Sequence, residues 1–396
     1  MSLLLPFGIG KKIVTERFSS SLPPAWAYTR NDAVTTYRDS SGVMRVAGVN
    51  APPIDHTSAG VALGLRIQPG TTNKLTSANA TITTTGTYIV ASGGTFSTPS
   101  DTAALTAAGL QSVGNGHVYK IANATGSDIA VYWAVTTGNT NAHSISMYAR
   151  TESDVSGINP YIFLTDFGGN NNGQKTFYGT AYQRVTSEGI TPTNSNQRLA
   201  LIVPTGQTVY FLLAQMEALS YATDPVITTD GAAGTRAAPL LKRSALWFSK
   251  NGGFAIKYRD DAPRSPASVL DCLFHVGEAN NRYDIFKGTG GDVLYRAFNG
   301  GSDTINYDFD GDALAAGPQS VGMGWKEGLV RCAINGVQVN TNDSVTLPAS
   351  FTFGASIGMF ESSLFPANIW LETATLFRRF PSKAQIEAAT RTTLEV

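Results

Sequence analysis

Between about Thr76 and Thr228 the chain repeats short apolar runs, TYIVA, HVYKIA, IAVYWAV, HSISMYAR, YIFLTDF, RLALIV and TVYFLLAQM. Gly, Asn, Ser and Pro clusters such as GGNNNG and PTNSN separate them. Runs of this length, rich in β-branched and aromatic residues and bounded by turn formers, read as strands. In one of them Ile129, Val131, Trp133 and Val135 fall on alternate positions and share a face, as the two-residue period of a strand requires. Several such strands in succession predict a β-sandwich or jelly roll, and no long helical period interrupts them.

A second set of strands begins near Ser244 and runs almost to the end. Val330, Cys332 and Ile334 alternate, Asn335-Gly336 turns the chain, and Val337 and Val339 resume. Asn-Gly supplies the positive φ angles of a tight type I′ hairpin. Pro381 stops the last strand, and Ser382 followed three residues later by Gln385 has the spacing of a capping box, predicting one short C-terminal helix. Thr228 to Pro239, rich in Gly and Ala, reads as a linker. The predicted organisation is all-β: a docking arm over 1–28, an extended connecting region over 29–75, and sandwiches over 76–239 and 244–396. The arm carries exposed apolar residues, Leu3, Leu4, Leu5 and Phe7, which are expected to dock on a neighbour or a sister subunit.

Charge narrows the function. Basic and acidic residues number 29 each, and only 15% of the 396 residues are charged, against roughly 25% in an ordinary soluble domain. With no basic block there is no electrostatic footprint for nucleic acid. No stretch approaches the ~18 to 20 apolar residues that cross a bilayer, and Lys11 and Lys12 follow the apolar start, the reverse of a secretory signal. Cys272 and Cys332 sit in strand-like contexts and read as buried free thiols.

Catalytic patterns fail on inspection. Gly354-Ala355-Ser356-Ile357-Gly358 matches a nucleophile elbow, but no helix signal follows, and all four histidines, His56, His117, His143 and His275, precede Ser356. Asp166-Phe167-Gly168 lacks the rest of a kinase signature, and Gly8 to Lys12 lacks the first glycine and final hydroxyl of a phosphate loop. Asp260, Asp261, Asp271, Glu278, Asp284, Glu361 and Glu372 are the acids available for glycoside hydrolysis, without a repeated pattern on one strand. No catalytic residue or cofactor is assigned. Asp308, Asp310 and Asp312 could give calcium hard oxygen ligands, but the twelfth position counted from Asp308 is Gln319, so a solvated acidic turn is the preferred reading.

Aromatic rings beside amides are the remaining signal. Flat rings stack on the apolar faces of pyranoses while neighbouring amides and hydroxyls hydrogen-bond the sugar. Tyr178, Tyr182, Tyr283, Tyr295, Tyr307 and Trp325 lie in predicted loops or strand ends near Asn, Asp or Gly and are the candidate glycan contacts.

Three ordered stretches carry a resemblance. The first comprises Thr29-Arg30, Thr36 to Val43, Asn50 to Asp55, Gly64 to Ile67 and Thr71 to Leu75. The second runs from Val209 to Glu217, through Tyr221 to Thr229, to Gly234 to Ala238; the third is Ser244 to Arg391. Together they resemble phage virion structural proteins of the tail-fibre, receptor-binding or head-fibre and capsid-decoration type, with Pro53 and Gln68 where that family usually has Arg and Glu. The resemblance implies a carbohydrate-binding-module-like sandwich followed by a concanavalin or laminin-G-like one. It also implies a homotrimer on the particle exterior, with other virion proteins and host-surface glycan as partners. The expectation is therefore a non-enzymatic virion appendage that adheres to glycans. The alternatives are a tail polysaccharide depolymerase and a purely structural decoration protein without a ligand.

Overall fold

The structure is a computed structural model, which describes residues 13–75, 89–91, 93–113, 116–133, 138–154, 157–166, 170–228, 232–243, 251–260, 271–278, 280–288, 292–309, 317–342, 345–347, 355–358 and 367–392. Among the described residues the fold is all-β, two sandwiches with two short helices. Leu3, Leu4, Leu5, Phe7, Asp261, Asp310, Asp312 and Glu361 lie outside the described residues, as does Val135.

The first sandwich packs two five-stranded antiparallel sheets face to face. One orders Gln183–Ile190, His143–Thr151, Thr208–Glu217, Tyr119–Ala122 and Thr95–Ser97; the other orders Asn171–Thr176, Tyr161–Thr165, Arg198–Val203, Ile129–Trp133 and Ile89–Ala91. The alternation read from the sequence fixes which side chains meet between them. Ile129, Val131 and Trp133 point inward, and Trp133 meets Phe211 of the facing sheet edge-on at 5.7 Å. A register shift where His143–Thr151 pairs Thr208–Glu217 coincides with Leu213 at φ 52°, a bulge that turns both Leu212 and Leu213 outward. There they pack with Leu105 of the helix Thr102–Ala107 in a smaller outer core.

The second sandwich faces a seven-stranded sheet with an eight-stranded one. The seven-stranded sheet orders Trp26–Thr29, Leu240–Arg243, Ala355–Ile357, Asp271–Glu278, Asn281–Lys287, Val293–Asn299 and Ser302–Phe309. In the other, Val337–Asn342, Leu329–Ile334, Gly317–Lys326, Asn251–Asp260, Ile369–Phe377, Ala62–Ile67 and Ile54–His56 follow in order, and Ile13–Arg17 also pairs with Ile369–Phe377.

These pairings redraw the boundaries expected from the sequence. Residues 13–28 are not a free arm: Ile13–Arg17 and Trp26–Thr29 are strands of the second sandwich, and Phe18 and Trp26 lie in its core. Residues 29–75 are not merely connecting, since Ile54–His56 and Ala62–Ile67 complete the eight-stranded sheet. The stretch read as a linker contributes Gly234–Arg236, paired with Thr71–Asn73. The reason is hydrogen bonding: Ile369–Phe377 would leave one edge of backbone groups unpaired, and two N-terminal strands lie end to end along it.

The turn and helix predicted from the sequence form. Asn335 and Gly336 have φ of 48° and 85°, as the type I′ hairpin demands. Helix Lys383–Ala389 carries the full capping box, Gln385 N–H donating to Ser382 Oγ at 3.2 Å and Ser382 N–H to Gln385 Oε1 at 2.8 Å. It docks on the eight-stranded sheet where Gly322 and Gly324 leave room; a Cβ on Gly324 would collide with the Pro381 ring.

Candidate functional site

The two sandwiches join through charged side chains placed inside otherwise apolar strands. Arg66 is flanked by Leu65 and Ile67 on Ala62–Ile67, so its strand position is fixed by two core residues. Its Nε–H donates to Asp224 Oδ2 at 2.8 Å, across from the tail of the first sandwich, and its guanidinium lies 3.7 Å from the centre of the Trp370 ring. Trp370 Nε1–H in turn donates to Asp55 Oδ2 at 2.6 Å. The other Asp55 oxygen accepts the backbone N–H groups of Arg38, at 2.6 Å, and His56, at 3.0 Å.

A second layer supports this one. Arg236, fully buried, donates from Nη1 to the Asp224 carbonyl and from Nε to the Pro69 carbonyl, each at 3.2 Å. Arg184 donates to the Thr223 carbonyl and brings Nη1 to 4.0 Å from Asp224 Oδ1. Buried Glu217 accepts from Thr223 N–H and Oγ1–H, while Asn73 ties Met216 to the Val226 carbonyl. Asp55, Arg66, Asn73, Glu217, Asp224 and Arg236, all within the stretches that carried the family resemblance, thus serve as scaffold for the sandwich junction.

The junction encloses a partly open cavity of about 270 Å³. Its wall comes from the hairpin strands Thr36–Arg38 and Met44–Val46, from 55–58 and Leu63, and from Tyr148 and Asp224 of the first sandwich and Trp370 of the second. Three aromatic rings, Tyr37, Tyr148 and Trp370, share this wall with Asp55, His56, Ser58, Thr57, Arg38 and Asp224. His56 Nδ1 faces the Arg38 carbonyl at 3.0 Å. A carbonyl only accepts, so Nδ1 carries a proton and donates it there.

The two carboxyls differ. Burial raises Asp55 above its ordinary range, with the nearby Asp224 charge adding to the shift and the Trp370 hydrogen bond opposing it. Burial also acts to raise Asp224, but the charges of Arg66 and Arg184 outweigh it and hold the group below the usual carboxylate range. Asp55 already accepts from three donors, so it is an anchor that fixes the hairpin to Trp370. The arrangement supplies rings for stacking and convergent polar groups, which suits binding.

The structure separates the residues expected to contact glycan. Tyr283, Tyr295 and Trp325 are fully buried between the sheets of the second sandwich; Tyr283 stacks on Trp325 at 4.5 Å, and Tyr295 donates to the Ala333 carbonyl at 2.7 Å. They fill the core because they occupy inward positions of alternating strands. Tyr182 is buried against the outer core with its hydroxyl on Asp101 at 2.7 Å. Tyr307 is half-buried against the core, and Tyr178 is exposed.

Among the other candidates, Asp308 is exposed on an edge strand, and among the described residues no group of three His, Cys, Asp or Glu side chains could hold a metal. Ser356 lies in a short buried strand, paired on both sides. Asp260 and Asp271 both engage buried Lys287, which bridges the two sheets. Cys272 and Cys332 are buried free thiols, whose pKa burial raises. Sequence reasoning did not single out Asp55, His56, Arg66, Asp224 or Trp370 as a site. The available signal was a charged residue within an apolar strand, Leu65-Arg66-Ile67, which is costly unless partnered.

No family model and no curated protein matches the chain. Among solved structures it is similar to the CBM40 of the Ruminococcus gnavus IT-sialidase bound to α2,3 sialyllactose, with 15% identity over 36% of this chain and 82% of that one, TM-score 0.31. It is similar also to domain 4 of AbnA, a GH43 extracellular arabinanase from Geobacillus stearothermophilus in complex with arabinotriose, with 11% identity over 43% and 81% of the two chains, TM-score 0.32. A SAP-like pentraxin from Limulus polyphemus matches at 11% identity over 35% and 68%, TM-score 0.26. Likeness this remote transfers none of these proteins' ligands to this chain.

Proposed function

We propose that the chain is a non-enzymatic structural component of a phage virion, a capsid or tail appendage, that holds a host-surface glycan in the cavity between its sandwiches. One observation carries the glycan part: three aromatic rings and a set of hydroxyl, imidazole and carboxylate groups converge on a cavity of about 270 Å³. Rings stack on sugar faces, and fixed polar groups orient the hydroxyls. The low charge of the chain suits neutral polar contacts, and the ordered sequence motifs support a place on the particle.

Glycan-array binding by the full chain tests the first part. Binding that His56→Ala weakens supports it, whereas a blank array at high protein concentration rejects it. Immunogold electron microscopy of particles tests the second, and particles without label reject it. The decoration reading without a ligand is favoured by the burial of four of the six rings expected at a sugar site, Tyr182, Tyr283, Tyr295 and Trp325.

A further inference from the structure

We infer that the junction cavity selects an uncharged, hydroxyl-rich sugar unit and rejects its carboxylate-bearing counterpart, because its wall presents hydrogen-bond acceptors. This rests on the glycan reading above and sharpens it to a ligand class.

Asp224 lines the cavity with its two oxygens in different states. Oδ2 accepts from Arg66 at 2.8 Å, while Arg184 Nη1 stands 4.0 Å from Oδ1, beyond hydrogen-bonding distance. Oδ1 therefore keeps lone pairs for a ligand. His56 commits Nδ1–H to the Arg38 carbonyl, which leaves Nε2 as its ring nitrogen for a ligand. Tyr148, nine-tenths buried, lines the same wall. Among the lining residues two carboxylates, Asp55 and Asp224, face a single guanidinium, Arg38, whose Nη1 already donates to the Gly42 and Ala108 carbonyls. The Arg66 charge lies behind Asp224 and is spent on it and on the Trp370 face.

A sugar hydroxyl can donate to Asp224 Oδ1 and, when the His56 ring is neutral, to its Nε2. A ligand carboxylate there would set acceptor against acceptor and like charge against like charge. Burial of both Asp55 and Trp370 keeps the wall from rearranging to relieve that conflict.

The test is isothermal titration of the full chain with matched pairs, methyl hexopyranosides and the corresponding methyl hexopyranosiduronates, which differ only in a hydroxymethyl or carboxylate at C6. Neutral sugars are expected to bind at least tenfold more tightly than their uronate partners. Asp224→Asn is expected to weaken neutral binding about tenfold and to narrow the discrimination. His56→Ala, at a half-buried position outside the Arg66 contact, gives a second reading should Asp224→Asn fail to fold. Equal affinity within a pair, or neutral binding unchanged in both variants, overturns the inference and leaves the glycan reading standing. No binding by either member of any pair, together with a blank array, overturns both.

Discussion

Replacing Arg66 by methionine removes the charge that joins the sandwiches while keeping an unbranched chain against Trp370. In the intact protein Arg66 is buried, and its partner Asp224 is 20% exposed. Two unit charges about 4 Å apart attract by about 4 kcal/mol at an effective dielectric constant of 20, and desolvation of both offsets part of that. Without Arg66, Asp224 retains Arg184 at 4.0 Å and the charge of buried Arg236. Loss of one member of a buried pair costs about 3 to 5 kcal/mol, and the residual exposure of Asp224 brings the expectation to the lower end. The stack on Trp370 contributes about 1 to 2 kcal/mol when desolvated, of which the thioether recovers a part. A net loss of about 3 kcal/mol follows. Urea denaturation followed by tryptophan fluorescence measures it, and the transitions of the two cores should separate as the junction weakens. In a double-mutant cycle Asp224→Asn should cost less when combined with Arg66→Met than alone, with a coupling of about 1 to 3 kcal/mol. A loss under about 0.5 kcal/mol, or a coupling of zero, would mean that the Arg66–Asp224 pair does not hold the sandwiches together.

Trp325→Ala should destabilise the second sandwich by about 3 to 5 kcal/mol, measured by the same denaturation, because it empties the layer in which Tyr283 stacks. Gly64→Ala should cost more than about 2 kcal/mol in thermal unfolding: Gly64 has φ 116°, and a Cβ would collide with the Leu371 carbonyl across the strand pair. Ser382→Ala should cost about 1 kcal/mol by removing the cap of the C-terminal helix, seen as a lower urea midpoint at unchanged slope. Because Asp224 has a lowered pKa in the fold, its contribution is complete above about pH 4 and is lost as pH falls through its folded-state value. The acid limb of a stability profile should therefore be shallower in Asp224→Asn, and an unchanged limb would count against the Arg66 and Arg184 pairing.

Local patterns carried much of the architecture. Alternation at Ile129, Val131 and Trp133, the Asn335-Gly336 turn and the Ser382–Gln385 box are each set by a few neighbouring residues, and each forms as expected. The aromatic residues show where local reading stops. Tyr283 and Trp325 are far apart in sequence, and only the facing of two sheets makes them stack; a ring beside Asn or Asp reads the same in a core strand as on a surface loop.

By itself the sequence determined the all-β class, the two strand sets, the hairpin and the terminal helix, because backbone conformation and two-residue periodicity are short-range properties. The tertiary structure decided that 13–17 and 54–67 complete the second sandwich, since an edge strand pairs with whichever backbone reaches it, at any distance along the chain. It also decided that Asp55, Asp224 and Trp370 meet around one cavity, with Arg66 behind Asp224 and Trp370. Those four stand up to 315 positions apart, and the cost of burying each charge is met only by partners that folding brings to it.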